Sequence, residues 1–139
     1  MIVADTNVVS ELMRPSPFPA VRDWARRQPA GELYTTAITV AEIRYGLARL
    51  AAGRRKNRLQ AAADDLFAAF SDYVLPFDAA AAVHYALIAR HRDEAGLPIA
   101  GFDAQIAAIC RARGAALATR NIKDFLETGV DVVDPWQPR

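Results

Sequence analysis

The sequence predicts an α/β protein, a parallel sheet covered by helices on both faces. Three observations predict it. Short apolar runs alternate with longer helical stretches along all 139 residues. Glycines stand where helical stretches should stop, at Gly53, Gly96 and Gly114. No repeat, low-complexity tract or linker interrupts the alternation, so residues 1–139 read as one domain.

Five runs are strand candidates: Met1 to Ala4, Leu33 to Thr36, Tyr73 to Phe77, Ala116 to Thr119 and Val130 to Val133. Each is short, apolar and partly β-branched or aromatic. After the first run, the prolines at 15, 17 and 19 should end one short helix after Arg14 and open another, because Pro suits a first helical turn and not an interior. Ala20 to Arg27 is short and amphipathic. Thr39 to Ala52 places Val40, Ile43, Leu47 and Leu50 at helical spacing. Leu59 to Phe70, Ala79 to Ala95 and Asp103 to Arg113 complete the helices.

Composition narrows the function classes. Seventeen Lys and Arg against 16 Asp and Glu exclude a strongly basic scaffold that coats nucleic acid. They leave room for a nuclease, whose acidic metal site offsets a basic substrate face. One Cys excludes a disulfide framework and a Cys-rich zinc site and suits the cytoplasm. The opening residues lack a signal-peptide pattern, and no run has the length of a membrane span.

In an open parallel sheet, ligands bind at the carboxyl ends of strands, where strand order reverses. Acids occupy those turns here. Asp5 ends the first run, Glu42 opens the helix after the second, and Asp78 follows the third. Asp103 begins the helix before the fourth run, and Asp124 comes just after it, beyond Asn121. Taken one at a time, each acid reads as a helix cap before it reads as a ligand. Thr39-Val40-Ala41-Glu42 even matches a capping box. If several converge, two carboxylates about 5 Å apart repel by roughly 3 kcal/mol at an effective dielectric near 20. A convergent set therefore needs a cation, and oxygen ligands select Mg²⁺ or Mn²⁺. Metal-assisted attack of water on a phosphodiester is the chemistry implied.

Four blocks then carry a resemblance. They are Ile2-Val3-Ala4-Asp5-Thr6-Asn7 with Ser10-Glu11-Leu12-Met13-Arg14-Pro15, Thr39 to Gly46, Phe102 to Ala108, and Ala118 to Phe125. In order and at this spacing, the chain resembles the PIN-domain ribonucleases, and most of all the VapC toxins of toxin–antitoxin pairs, in their FitB-like branch. The resemblance implies a three-layer α/β/α sandwich whose five-stranded parallel sheet has the order 3-2-1-4-5. It maps the family's acidic triad onto Asp5, Glu42 and Asp103, which would hold the metal, and leaves Asp78 on an outer strand. Many relatives have an acid where this chain has Asn121, so Asp124 or Asn121 completes the set. Thr6 and Thr119 would orient a carboxylate or water, or else cap local turns. Arg120 would hold a phosphate. An RNA substrate, an antitoxin peptide in an apolar groove near the early helices, and a homodimer are the implied partners.

Other residues read more plainly. His84 and His91 lie seven apart on one helix, roughly 10.5 Å along its axis, too far for one metal. Cys110 lies among apolar neighbours and reads as core. Trp24, Phe18, Leu12 and Met13 read as packing. Arg54-Arg55-Lys56-Asn57-Arg58 reads as a solvated helix–helix turn, with RNA contact as the alternative. Arg44, Arg49 and Arg120 are nearer the acids in sequence and are the substrate candidates.

The expectation is a Mg²⁺- or Mn²⁺-dependent endoribonuclease, the toxin of a toxin–antitoxin pair, with Asp5, Glu42, Asp103 and Asp124 as its acids. One alternative is a catalytically silent PIN fold that acts through its antitoxin or DNA-binding partner. Another is a phosphatase with Asp5 as nucleophile, although that chemistry generally needs a second Asp where Asn7 stands.

Overall fold

The computed structural model describes residues 1–137. Its sheet has five parallel strands, in spatial order β3 (Val74–Leu75), β2 (Leu33–Thr36), β1 (Ile2–Ala4), β4 (Ala116–Ala118) and β5 (Val132–Val133). The chain runs outward from β1 to β3, then returns to build β4 and β5 on the other side. The order therefore reverses between β1 and β4, and a crevice opens at their carboxyl ends. The expected strand order 3-2-1-4-5 is the one found.

Six helices cover the two faces. They are α1 (Thr6–Leu12), α2 (Pro19–Arg27), α3 (Ala37–Ala48), α4 (Arg54–Ala69), α5 (Ala79–Glu94) and α6 (Gly101–Arg113). The strand alternation decides which face each residue serves. Val3 and Leu117 join Ile88 of α5 and Ile106 to Cys110 of α6 in one core. Ala4 and Ala118 join Val8 and Val9 of α1, Val21 and Trp24 of α2, and Ile43 and Leu47 of α3 in the other. Val3 pairs with Leu117 across β1 and β4, and both are fully buried. Each such burial is worth roughly 1.5–3 kcal/mol. A one-residue slip in register would exchange the faces of every side chain on the strand.

Element ends depart from the sequence reading in ways that matter. β3 is Val74–Leu75 and β5 is Val132–Val133, so only two residues of each expected run form strand. Helix α3 begins at Ala37, earlier than Thr39, because Thr36 is its cap and accepts from the Thr39 amide at 3.1 Å. Thr39 is thus inside the helix, and Thr39 to Glu42 is not a capping box. The run Arg54 to Arg58 is not a turn but the start of α4. Gly53 does not end a helix; it precedes α4 at φ 154°, a conformation that side-chain-bearing residues rarely adopt. Gly114 does end α6, in the left-handed conformation at φ 64°. Phe18 is 46 % exposed and is not core, whereas Trp24 is buried.

Candidate active site

The crevice is built from the ends of β1 and β4 and from the helices beside them. Asp5 directly follows β1 and is 4 % exposed. Its amide donates to the Ala118 carbonyl at 3.0 Å, continuing the ladder to β4. Its carboxylate caps α1 by accepting from the Val8 amide at 3.0 Å. It is therefore a helix cap and a crevice residue at once. Burial pushes its carboxyl from the ordinary 3.8 up to about 6, against hydrogen bonds from Thr119, Val8 and Asn7 that hold it down. The charge of Asp103 adds to the rise.

Asp103 lies in the first turn of α6 and is partly buried. Burial raises its carboxyl, and the charges of Asp124 and Glu42 raise it further, while Arg92 lowers it. Asp103 is thus the acid whose field meets those of Asp5, Glu42 and Asp124.

Glu42 is in the second turn of α3, with no capping duty. Its Oε1 accepts from the Thr6 hydroxyl at 2.8 Å. Thr39 Oγ1 stands 3.2 Å from that hydroxyl, and Thr36 Oγ1 lies 3.4 Å from Thr39 Oγ1. This hydroxyl chain ties α1 to α3 and orients the carboxylate. Thr119 is fully buried, its hydroxyl accepts from the Asn121 amide at 3.0 Å, and its side chain helps hold the Asp5 carboxyl down.

Beyond Thr119 the chain enters a 3₁₀ turn, Ile122–Phe125. Asn121 precedes it, and the Asp124 amide donates to the Asn121 carbonyl at 3.0 Å. Both side chains are exposed. Arg120 sits over the Trp136 ring, 5.1 Å from its centroid. With Asn7, Arg14 and Asn121 it lines a cavity of about 270 Å³.

Several residues lie outside this arrangement. Asp78 caps α5, accepting from the Ala81 amide at 2.9 Å, and lies 3.8 Å from Arg113. Arg44 is taken up by Asp64 at 2.7 Å and by the Phe67 ring, and Arg49 lies over Tyr45. His91 is exposed, 3.8 Å from Glu127. Cys110 is buried, and burial pushes its thiol up to about 12, which removes it as a nucleophile.

Arg92 is the residue that sequence reasoning missed. It is 5 % exposed, and its Nη1 donates to the Leu126 carbonyl at 2.7 Å. A basic residue in the last turn of a helix is ordinary, since it suits the helix dipole. No signal in a single sequence marks this one as buried.

A model of the PIN domain matches residues 2–130. The chain belongs to the PIN-domain family. It is 42 % identical over 142 residues to the VapC ribonuclease Y4jK of Sinorhizobium fredii, covering 99 % of each chain. It is 38 % identical over 137 residues to the toxin FitB of Neisseria gonorrhoeae, covering 98 % of this chain and 99 % of that one. Among solved structures, FitAB bound to the IR36 DNA fragment superposes with a TM-score of 0.92 at 37 % identity, covering 100 % of this chain and 98 % of that one.

In this PIN domain the acidic side chains offer oxygen donors alone, which suit a hard divalent cation. Burial first, and the neighbouring acids after it, raise the carboxyls of Asp5 and Asp103, and a bound cation would favour their ionised forms. Among the described residues no three His, Cys, Asp or Glu side chains form a ready-made metal cage. Mg²⁺, which keeps several waters and needs only one or two carboxylates, is a hard divalent cation of that kind.

Proposed function

We propose that residues 1–139 act as a single PIN domain, a Mg²⁺- or Mn²⁺-dependent endoribonuclease and the toxin of a toxin–antitoxin pair. The observation that carries this reading is the crevice at the β1/β4 reversal, where Asp5 at the end of β1 bonds β4 and Thr6 beside it bonds Glu42 of α3. The kinship with a VapC ribonuclease supports the substrate class.

Asp5, Asp103 and Glu42 would hold the cation, directly or through water, with Asp124 assisting. When bound, the ion supplies charge neutralisation at the scissile phosphate and a lowered pKa for water. Thr119 fixes Asp5, and Thr6 fixes Glu42. Arg120 and Asn121, beside the crevice, contact the RNA phosphates. Water attacks phosphorus in line as the P–O3′ bond breaks, its proton passes to a carboxylate oxygen, O3′ takes a proton from solvent, and the products carry a 5′-phosphate and a 3′-hydroxyl.

The antitoxin docks an apolar segment in a cleft of about 280 Å³ that Met13, Ile43, Leu47 and Leu59 line up to Thr6 and Glu42. The toxin forms a homodimer and works in the cytoplasm. No helix among the described residues is long and apolar enough to cross a membrane.

The test is cleavage of short structured RNAs by purified protein, with Mn²⁺ and with excess EDTA. Cutting that requires the metal is expected; cutting that persists in EDTA sinks the reading. Thr6→Val, which keeps the side chain's shape and removes the donor to Glu42, is expected to slow cleavage about 10- to 100-fold. An unchanged rate in that variant would remove Thr6 from the machinery.

A second reading is favoured by the capping role of Asp5, whose carboxylate accepts from the Val8 amide at the start of α1. In it the fold is catalytically silent and acts through its antitoxin. Calorimetry with Mn²⁺ separates the two readings, since carboxylates that serve only as caps bind no ion stoichiometrically.

A further inference from the structure

The segment that carries Asp124 is held from outside at a residue the proposed function does not use. Phe125 anchors the segment in the core at 2 % exposure. The Thr128 hydroxyl donates to the Phe125 carbonyl at 2.7 Å, which closes the turn on itself. Between these, Glu127 has φ 59°, left-handed backbone that a residue with a side chain adopts only when its surroundings require it. The Leu126 carbonyl then accepts from Arg92 Nη1 at 2.7 Å, across 34 residues of sequence. This is a charge-assisted bond, the stronger kind. It joins the last turn of α5 to a carbonyl two residues beyond Asp124.

Arg92 is an expensive way to make one bond. It is 95 % buried by its 5 % exposure, and its Nε has no hydrogen-bond partner. A buried guanidinium with an unused donor calls for a reason beyond packing. The acids supply one, because its positive charge opposes those of Asp124 and Glu42 at Asp103.

We propose that Arg92 is a positioning residue, tethering the Asn121–Thr128 segment to α5 so that Asp124 is held facing Asp103. It acts through Asp124 and touches neither RNA nor metal. The inference rests on the proposed metal-dependent reading of the acids, and the tether itself is testable without that reading.

The experiment uses the full chain in three variants: Arg92→Lys, Arg92→Met and Asp124→Asn, with the Arg92→Met/Asp124→Asn pair. Arg92→Lys keeps the charge and loses the planar fork. In metal-free protein, amide hydrogen exchange at residues 122–128 is expected to rise about 10-fold or more in Arg92→Lys, with α6 unchanged. Mn²⁺ affinity by calorimetry is expected to fall about 10- to 100-fold in Arg92→Met. Arg92→Lys should fall between Arg92→Met and wild type. In the Asp124→Asn background, Arg92→Met is expected to cost little more, because both changes remove one contribution. Unchanged exchange at 122–128, or a rise spread equally over α5 and α6, overturns the tether. Full additivity of the two losses overturns the route through Asp124. If Arg92→Met does not fold, the exchange profile and Mn²⁺ affinity of Arg92→Lys decide. Wild-type protein that binds no Mn²⁺ and cuts no RNA defeats the functional reading, and exchange at 122–128 then decides the tether alone.

Discussion

Asp103→Asn is expected to lower metal-dependent RNA cleavage by roughly 100-fold or more while leaving the fold intact. Substitutions one step out from a metal commonly cost about 10- to 100-fold, so loss of a carboxylate at the ion should cost at least that. Asp103 is the acid where the other charges meet, its carboxyl raised by burial and then by Asp124 and Glu42. The amide keeps its shape and loses the charge that a cation needs. The same change relieves repulsion, so the metal-free variant should melt no lower than wild type. Asp78→Asn is the control. Asp78 also opens a helix after a strand, yet its carboxylate serves the Ala81 amide. It lies beyond β3, at the far edge of the sheet. Asn is a good cap, so cleavage should be unchanged. Full activity in Asp103→Asn, or equal loss in both variants, would refute the assignment.

The second large effect is on stability. In metal-free protein, Asp5→Asn is expected to be more stable than wild type near neutral pH, by about 3 kcal/mol. The Asp5 carboxyl rises from 3.8 to about 6 on folding. Below the lower value the group is protonated in both states, and above the higher it is ionised in both. Between them the folded chain holds a proton that the unfolded chain has released. The unfolding free energy therefore falls as pH rises through that window. Asn at this position has no such loss and still caps α1. Denaturation at pH 4, 5, 6 and 7.5 in EDTA should show the two proteins diverging up to about pH 6 and running parallel above it. Mn²⁺ should then raise the Tm of wild type at neutral pH and leave Asp5→Asn unmoved, because the ion favours the ionised carboxylate. Parallel behaviour across the whole range would mean that Asp5 ionises freely in the fold.

These two variants also mark where reading a sequence ends. The alternation of apolar runs and helices, the class of fold and the approximate place of each element follow from local chemistry. Side-chain period and the punctuation of Pro and Gly act within a few residues, so a linear reading finds them. The set of strand-end acids was legible for the same reason. Which acids belong together was not legible from spacing: Asp78 and Asp103 look alike in the chain. Resemblance to a family placed Asp78 on an outer strand, and the pairing order puts β3 there. Glu42 shows the limit in another form. Its spacing from Thr39 matches a capping box, but the cap is Thr36. The carboxylate is free to meet Thr6, 36 residues away. Arg92 is the furthest case. Its partner carbonyl lies 34 residues on, and a backbone carbonyl carries no residue identity for a sequence to reveal. Local periodicity determined the elements, the fold class and the candidate acids. Only the tertiary structure decided which side chains share a crevice, because strand order and burial set distances and fields between residues that sequence separation does not encode.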